Sequence, residues 1–388
     1  MFDKKPVILI FTSWYLPGYK AGGPLQSIAN LVEQLHGIFD FFIVTSDRDM
    51  GENKPYSDVK PGVWHTVGKA KVCYLSPSQQ SPHNFWRLIR DTHHDIVYLN
   101  SFFDIKFTTF PLLIYRFQFK VSKRPPVVLA PRGEFSSGAL RIKPGKKRFF
   151  MMASKLLGLH NKVVWQATSM QEFDDIFHVV NQRGCDIRVA SNLPRRVAHS
   201  PRFTLRPAGS PLRVVFLSRI SPKKNLLGAL EILARVKVPV VFTIYGPRED
   251  VSYWVRCENF IASLPSNIKV VYAGPVKPVD VIDLLSQQDL FFLPTHGENY
   301  GHAIVEAFQA GLPVLISDLT PWRNLAAKGL GEDISLDKPD KFSNFIDQFS
   351  VMSNEDLIEM RTRILEKAAE IENVAAAVEA NRRLFEAG

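Results

Sequence analysis

The sequence GENYGHAIVEAF, residues 297–308, lies between an apolar run and a Gly-Leu-Pro turn. The apolar run 289–295 (DLFFLPT) predicts a buried strand, and residues 300–310, with apolar side chains three and four apart, predict a helix. Backbone N–H groups at a helix start lack partners and suit a phosphate. Glu298, in the turn, and Glu306, about two turns up the predicted helix, can accept hydrogen bonds from hydroxyls. The stretch therefore predicts a ligand whose phosphates are flanked by sugars.

Short apolar runs alternate with helical patterns along the chain, which predicts an α/β protein with doubly wound parallel sheets. The predicted strands are 7–12, 41–45, 72–75, 96–100, 127–130, 163–167 and 187–190, then 212–218, 240–245, 268–273, 290–294, 314–317 and the region of Ile334. A Pro-, Arg- and Ser-rich stretch, 192–211, is the predicted linker between the two series. Because open sheets of this kind bind ligands at the carboxyl ends of their strands, we expect functional residues there, in a cleft between two domains.

The composition indicates a globular protein of two domains. Its 388 residues exceed the usual size of one core, and 46% hydrophobic with 22% charged residues is ordinary for a soluble protein. We expect no transmembrane helix and no signal peptide, because the apolar runs are too short and no cleavage pattern follows the first one. Cys73, Cys185 and Cys257 are far apart and outside metal-ligand spacing, which favours a reducing cytoplasm.

The net charge of +10 is concentrated in one part of the chain. Residues 116–206 hold 18 Lys and Arg against five Asp and Glu, whereas the remainder is slightly acidic. The densest part of this excess comprises Arg141, Lys143, Lys146, Lys147 and Arg148. Such a patch suits anionic phospholipid, a lipid diphosphate or nucleic acid. An ordinary solvated basic face is the alternative.

Further cations follow the predicted strand 212–218. Arg219 and Lys224 lie in SRISPKKN, residues 218–225. Together with the Glu298 turn they could neutralise a diphosphate, although the segment by itself also fits an ordinary basic turn. Gly246 ends the next strand, where it allows either close approach of a ligand or a simple turn.

Paired glycines, Gly22 and Gly23, lie between the first strand and a helix predicted at 25–35. They permit close approach to a phosphate or sugar, with a flexible turn that binds nothing as the alternative. The sequence lacks the glycine patterns of dinucleotide-binding folds and P-loops, so a nicotinamide enzyme is not indicated.

Two clusters contain residue types that bind metals. Asp47-Arg48-Asp49 is better explained as a polar loop, and His93-His94-Asp95 as a helix end. We therefore predict no metal and no cofactor. A catalytic set of Ser, His and Asp does not stand out, although such triads are assembled in space.

On these residues the chain resembles the family 4 glycosyltransferases, retaining nucleotide-sugar enzymes of the GT-B fold. The most specific match is the E-x7-E segment from Glu298 to Glu306, followed by GLPV at 311–314 and reinforced by Arg219 and Lys224. Gly22-Gly23, APRGE at 130–134 and TPW at 320–322 resemble members that build bacterial surface polysaccharides such as lipopolysaccharide, O-antigen and capsule.

The resemblance implies a role for each matching residue. Arg219 and Lys224 would hold the donor diphosphate and Glu298 would contact the donor sugar, which makes these three the predicted catalytic residues. Glu306 would bind the ribose hydroxyls. The other predicted donor-binding residues are Asn299, Tyr300, Gly301, Gly246, Val276, Gly22 and Gly23. On the acceptor side are Glu134 and two residues, Arg132 and Asn100, that stand where histidines are common in the family.

The resemblance predicts a metal-independent retaining glycosyltransferase. It would move a sugar from a UDP- or GDP-linked donor to a lipid-linked, lipopolysaccharide or polysaccharide acceptor, without a nucleic-acid partner. The basic stretch from Arg141 to Arg148 adds the expectation that the protein acts at the anionic inner face of the cell membrane. Residues 1–195 would bind the acceptor, 196–370 the donor, and a helix in 371–388 would pack back on the first domain. The rivals are a nucleotide-sugar epimerase, a phosphorylase of the same fold, and a non-catalytic protein that grips anionic polymer.

Overall fold

The computed structural model of the chain divides into two compact units. It describes residues 4–118, 124–141, 144–180, 185–197, 201–207, 209–371 and 374–386. Unit 1 comprises Met1–Leu193 with Ala375–Gly388, and unit 2 comprises Pro194–Val374. The chain therefore crosses between the units twice, within a few residues of the boundaries predicted at 195 and 370.

Unit 1 is built on one large sheet. Its strands are β1 (Val7–Phe11), β2 (Asp40–Ser46), β3 (Trp64–Val67), β4 (Ala70–Leu75), β5 (Ile96–Asn100), β6 (Val127–Ala130), β7 (Val163–Ala167) and β8 (Asp186–Val189). Its helices are α1 (Gly23–Leu35), α2 (Pro82–Asp91), α3 (Phe110–Gln118), α4 (Ser137–Leu140), α5 (Pro144–Leu156) and α6 (Met170–Val180). The strand order is β3-β4-β2-β1-β5-β6-β7-β8, and only the β3–β4 pair is antiparallel.

The sheet of unit 1 is covered on both faces, which is why its strands read as continuous apolar runs. In β1, Ile8 and Ile10 pack into one apolar cluster, while Leu9 and Phe11 pack into another. Side chains of a strand alternate between faces, so the two clusters lie on opposite sides of the sheet. The sequence analysis missed β3 because none of its four residues is buried and they form no apolar run.

Unit 2 is a smaller parallel sheet with helices. Its strands are β9 (Leu212–Leu217), β10 (Val240–Tyr245), β11 (Ile268–Gly274), β12 (Leu290–Leu293), β13 (Val314–Ser317) and β14 (Gly331–Ile334). Its helices are α7 (Leu226–Leu233), α8 (Val251–Ile261), α9 (Val281–Ser286), α10 (His302–Gln309), α11 (Leu325–Lys328), α12 (Pro339–Ser350) and α13 (Asn354–Ile371). The order β11-β10-β9-β12-β13-β14 places β9 and β12 side by side at the centre, where the direction of winding reverses.

The last helix, α14 (Val374–Glu386), packs on unit 1. The ring of Phe385 lies 5.7 Å from that of Phe39 and 5.4 Å from that of Tyr98. Asn381 donates from Nδ2 to the carbonyl of Ser191 at 2.7 Å. Apolar packing and this hydrogen bond therefore fix the carboxyl-terminal helix on the sheet of unit 1.

Within the stretch 192–211, predicted as a linker, two described residues pack on unit 2. Arg206 donates to the carbonyl of Ser350 at 2.7 Å, and the guanidinium of Arg361 lies 4.4 Å from the ring centre of Phe203. The boundary between the units, after Leu193, falls within this predicted linker. Its proline and arginine residues indicate irregular backbone but do not reveal whether that backbone packs. Among the helices that the structure describes, none has both the length and the apolar character to cross a membrane.

Candidate active site

Two loops meet at the carboxyl ends of β9 and β12 in unit 2. The loop after β9 contains a 3-10 turn, Pro222–Lys224, and the loop after β12 leads into α10. Asn225 donates from Nδ2 to the carbonyl of Pro294 at 2.8 Å. The carbonyl of Lys223 accepts from the backbone N–H of His296 at 2.8 Å and from the hydroxyl of Thr295 at 3.0 Å. These hydrogen bonds hold both loops in a fixed relation.

Lys224 and Glu298 form an ion pair at this junction. Their side chains are 14% and 11% exposed, so the pair is partly shielded from water. The backbone N–H of Glu298 donates to the carbonyl of Leu319 at 3.2 Å, which ties its loop to the segment after β13. The structure thus brings together two of the three residues predicted to be catalytic.

Arg219, the third of them, pairs with a carboxylate that the sequence analysis did not single out. Its Nη1 donates to Oε1 of Glu249 at 2.8 Å, and both side chains are partly exposed. Glu249 lies in the loop after β10, the neighbour of β9 in the sheet. The loops after β9 and β10 therefore share a charged contact at their surface.

The helix after the Glu298 turn begins later than predicted. Gly301 has φ 80° and ψ 59°, a left-handed conformation, and caps α10 at His302. The predicted start at residue 300 was wrong because left-handed backbone cannot continue a right-handed helix. Glu306, which is 5% exposed, consequently lies about one turn into α10 and not two. The carboxylate predicted to bind ribose is thus nearly enclosed by the unit.

A tryptophan fixes the turn at 299–301. Trp322 donates from its indole N–H to the carbonyl of Tyr300 at 2.6 Å, and its ring lies 5.4 Å from that of Phe308 on α10. The hydroxyl of Thr320 accepts from the N–H of Trp322 at 3.1 Å. The TPW motif, residues 320–322, therefore supports the turn at 299–301, whose backbone is predicted to bind the donor.

Gly246 is required by backbone packing. It has φ 139°, and a Cβ there would lie 1.8 Å from the carbonyl oxygen of Ser218. Its N–H donates to the carbonyl of Gly274 at 2.9 Å. The residue is thus part of the contact between the loops after β9, β10 and β11. Val276, predicted to face the base, follows β11 and packs partly buried against the core of unit 2.

In unit 1, the glycine loop is held by Asp49. The carboxylate of Asp49 accepts from the N–H of Tyr19 at 2.9 Å and from that of Lys20 at 3.2 Å. Gly22, with φ 66°, then leads into α1, which begins at Gly23. Asp49 therefore has a structural role in this loop. Separately, within the described residues no group of three metal-ligating side chains is found.

The predicted acceptor-side residues form a hydrogen-bonded network inside unit 1. Arg132 donates from Nε to Oδ1 of Asn100 at 2.7 Å, from Nη2 to the hydroxyl of Tyr98 at 2.5 Å, and from Nη1 to Oδ1 of Asn192. Asn100 and Tyr98 are buried. The network links the ends of β5 and β6 to the segment just before the chain leaves unit 1.

Glu134 holds the loop after β5. Its carboxylate accepts from the hydroxyl of Ser101 at 2.7 Å and from the N–H groups of Phe102 and Phe103 at 2.6 and 3.2 Å. Burial raises the pKa of the Glu134 carboxyl, and the three hydrogen bonds oppose that rise. The carboxylate is therefore engaged by the protein's own backbone.

The predicted basic patch is not uniform. Arg141, Lys146 and Arg148 are exposed, whereas Lys147 is half-buried, and Lys143 lies outside the described residues. The ammonium of Lys147 donates to the carbonyl of Ala139 at 2.7 Å and lies 4.9 Å from the ring centre of Phe103. Burial lowers the pKa of Lys147, while Glu134 opposes that change. Lys147 thus belongs to the interior face of α5.

Comparisons with known proteins agree with this architecture. Residues 201–370 match the family model described as Glycosyl transferases group 1. No curated protein sequence matches the chain.

Solved structures that resemble the chain cover nearly all of it. HepE of Anabaena in complex with UDP and glucose has a TM-score of 0.70 at 13% identity, covering 99% of this chain and 100% of its own. Sucrose-phosphate synthase of Thermosynechococcus elongatus has a TM-score of 0.72 at 14% identity, and the alignment covers 99% of this chain and 100% of the synthase. WaaG, a glycosyltransferase involved in lipopolysaccharide biosynthesis, has a TM-score of 0.67 at 12% identity, and the alignment covers 98% of this chain and 100% of WaaG.

These findings confirm the predicted fold class, GT-B with two parallel-sheet Rossmann-like domains. Residues 201–370, which make up most of unit 2, match the Glycosyl transferases group 1 model, in agreement with the predicted class of enzyme, a glycosyltransferase. The matched range includes the Lys224–Glu298 junction, Arg219 and α10.

Proposed function

We propose that the protein is a retaining, metal-independent glycosyltransferase that moves a sugar from a UDP- or GDP-linked donor to a lipid-linked or polysaccharide acceptor at an anionic membrane surface. The observation that carries this proposal is the junction of β9 and β12. There a cation, Lys224, and a carboxylate, Glu298, lie together in a domain matched by the glycosyl transferases group 1 model. A diphosphate and a sugar are the two parts of a nucleotide sugar that such groups bind.

The chemistry requires stabilisation of the departing diphosphate. The bond between the sugar C1 and the donor phosphate oxygen breaks, and a bond from C1 to the acceptor oxygen forms on the same face of the sugar. The acceptor proton passes to the donor phosphate oxygen, so charges and atoms balance. Arg219 and Lys224 supply the positive charge that favours this departure. Glu298 orients the sugar hydroxyls, and Glu306 accepts from the ribose.

Donor binding is the first test. Calorimetry with a panel of UDP and GDP sugars, together with an assay of released nucleotide diphosphate, identifies the donor. Two structures of one protein of similar fold support testing UDP sugars first, because HepE was solved with UDP and glucose and with UDP-glucose. Lys224→Ala and Glu306→Ala proteins should lose donor binding and turnover. Lys269→Ala and Glu231→Ala, which change exposed side chains of unit 2, serve as matched controls. Turnover by the first two variants equal to that of the parent would refute the site.

The reaction class has its own readouts. The proton coupling at the anomeric carbon of the product reports retention, and activity that persists in a chelator reports metal independence. An epimerase would change the sugar without an acceptor, and a phosphorylase would need free phosphate. A protein that only grips anionic polymer would release no nucleotide and would bind nucleic acid with steep salt dependence.

A further inference from the structure

The helix α5 directs large apolar side chains away from the protein. Phe149, Met152 and Leu156 are 68%, 63% and 88% exposed. They are three and four residues apart, so they form one stripe along the helix. A helix on the surface of a globular protein normally turns its apolar stripe toward the core. The outer stripe of α5 is therefore an apolar surface that the fold itself leaves uncovered.

The opposite face of α5 is anchored to unit 1. The ring of Phe150 lies 5.5 Å from the ring of Phe102 and 5.5 Å from that of Phe103. Ser154 is buried, and Lys147 donates to the carbonyl of Ala139 on the same face. Because these contacts fix the rotation of the helix, the stripe of Phe149, Met152 and Leu156 stays on the outside.

Cations flank the stripe on both sides. At 100° per residue, Arg148 and Lys155 lie on one side of it and Lys146 on the other. All three are exposed, and the helix sequence PGKKRFFMMASKL contains no acidic residue. An apolar stripe bordered by Lys and Arg is the pattern of a helix that lies in a membrane interface.

We propose that α5 lies in the surface of an anionic lipid membrane, with Phe149, Met152 and Leu156 among the acyl chains and Lys146, Arg148 and Lys155 at the headgroups. This inference deepens the proposed function and rests on its lipid-linked acceptor. An anionic membrane fits better than a second copy of the chain, because the self-complementary contact of a symmetric dimer would bring like charges together.

Vesicle binding tests the stripe. Co-sedimentation compares the parent, a Phe149→Ser/Met152→Ser/Leu156→Ser protein and a Lys146→Glu/Arg148→Glu/Lys155→Glu protein. The vesicles are phosphatidylcholine with or without phosphatidylglycerol. We expect the parent to prefer vesicles with phosphatidylglycerol and both variants to partition at least about tenfold less. A matched control is Met170→Ser/Phe177→Ser on α6, which removes two side chains that are 62% and 51% exposed and should bind as the parent does.

Insertion can be separated from electrostatic adsorption with a fluorescent probe. A Met152→Cys protein in a Cys185→Ser background is labelled with an environment-sensitive dye, since Cys73 and Cys257 are buried. The emission should shift to the blue on anionic vesicles and should be quenched by a spin label in the acyl chains. The same label at Met170→Cys should report water. An unshifted emission at position 152 would overturn the proposal.

Two further outcomes are decisive. If the parent sediments as a dimer and the triple serine variant sediments as a monomer, the stripe is a contact between copies and the proposal is wrong. Nucleotide release with a water-soluble acceptor should be equal in the parent and the triple serine variant, which also shows that the variant is folded. If the parent binds vesicles but releases no nucleotide from any donor, the proposed function fails and the membrane surface stands.

Discussion

Glu249 accepts a hydrogen bond from Arg219 at 2.8 Å across the loops that follow β10 and β9. Arg219 is predicted to bind the donor diphosphate, so Glu249 competes with the donor for the same guanidinium. A Glu249→Gln protein should therefore bind donor more tightly. A partly exposed ion pair contributes at most about 1 kcal/mol, which corresponds to a gain of up to about fivefold.

The measurement is the donor Kd by calorimetry at low and high salt. Glu258→Gln, an exposed change on α8, is the matched control. Weaker donor binding in the Glu249→Gln protein would mean that Glu249 orients Arg219 and does not compete with the diphosphate.

Trp322→Phe should raise the donor KM and lower the free energy of unfolding by no more than about 1 kcal/mol. The substitution removes the indole N–H that donates to Tyr300 and retains an aromatic ring beside Phe308. Loss of one such hydrogen bond costs about 1 kcal/mol, which predicts a rise of about fivefold in KM. Steady-state kinetics and thermal unfolding separate the two effects, and Trp64→Phe in unit 1 is the control. An unchanged KM would show that the turn at 299–301 does not depend on this contact.

Gly246→Ala should strongly destabilise unit 2. The added Cβ would lie 1.8 Å from the carbonyl oxygen of Ser218, and backbone cannot yield as a flexible side chain does. We expect a loss of at least about 3 kcal/mol. Gly274→Ala is the control, because Gly274 also has positive φ, 81°, but a Cβ there meets nothing within 4 Å. It should cost only about 1–2 kcal/mol, the penalty of left-handed backbone. Equal losses in urea unfolding would contradict the steric explanation.

Stability should fall as the pH drops from about 6.5 to about 4, in part because of His160. Its ring lies 4.9 Å from that of Phe102 and 5.4 Å from that of Trp165, and burial lowers its pKa from 6.5 to about 4. Between these values the unfolded chain binds the proton and the folded chain does not, so protonation favours unfolding. The effect amounts to at most roughly 3 kcal/mol.

Replacing His160 removes this component. A His160→Phe protein should show a flatter dependence of the free energy of unfolding on pH in this window. His93→Gln, which changes an exposed histidine, should follow the parent. Parallel curves for His160→Phe and the parent would show that the ring titrates alike in both states.

The sequence predicted most strands because a strand covered on both faces requires a continuous apolar run. The runs at 96–100, 127–130, 163–167, 240–245 and 314–317 match observed strands residue for residue. The partly exposed β3 has no such run and was missed. The start of α10 was misplaced because apolar spacing continues through Gly301, whose left-handed conformation ends the pattern.

The candidate site likewise contains residues that the sequence predicted and residues that it missed. Lys224 and Glu298 were predicted from residue types at recognisable spacing, and the structure pairs them. Glu249 and Asp49 were missed as partners, since each contacts a position 30 residues away in the chain. Such contacts depend on which strands are adjacent in the sheet, and the spacing of residues along the chain does not indicate that adjacency. The TPW motif drew attention to Trp322 in the sequence, but its role became clear only from its hydrogen bond to the turn at 299–301.

The sequence by itself determined the α/β architecture, the two series of strands and the charged residues that follow them, because periodicity and strand ends are local properties. Only the tertiary structure decided which charges pair, that Asn100, Arg132 and Glu134 are engaged within unit 1, and that Lys147 faces inward while Phe149, Met152 and Leu156 face outward. The physical reason is that pairing and exposure depend on the packing of elements distant in the chain, where burial and hydrogen bonding select one arrangement.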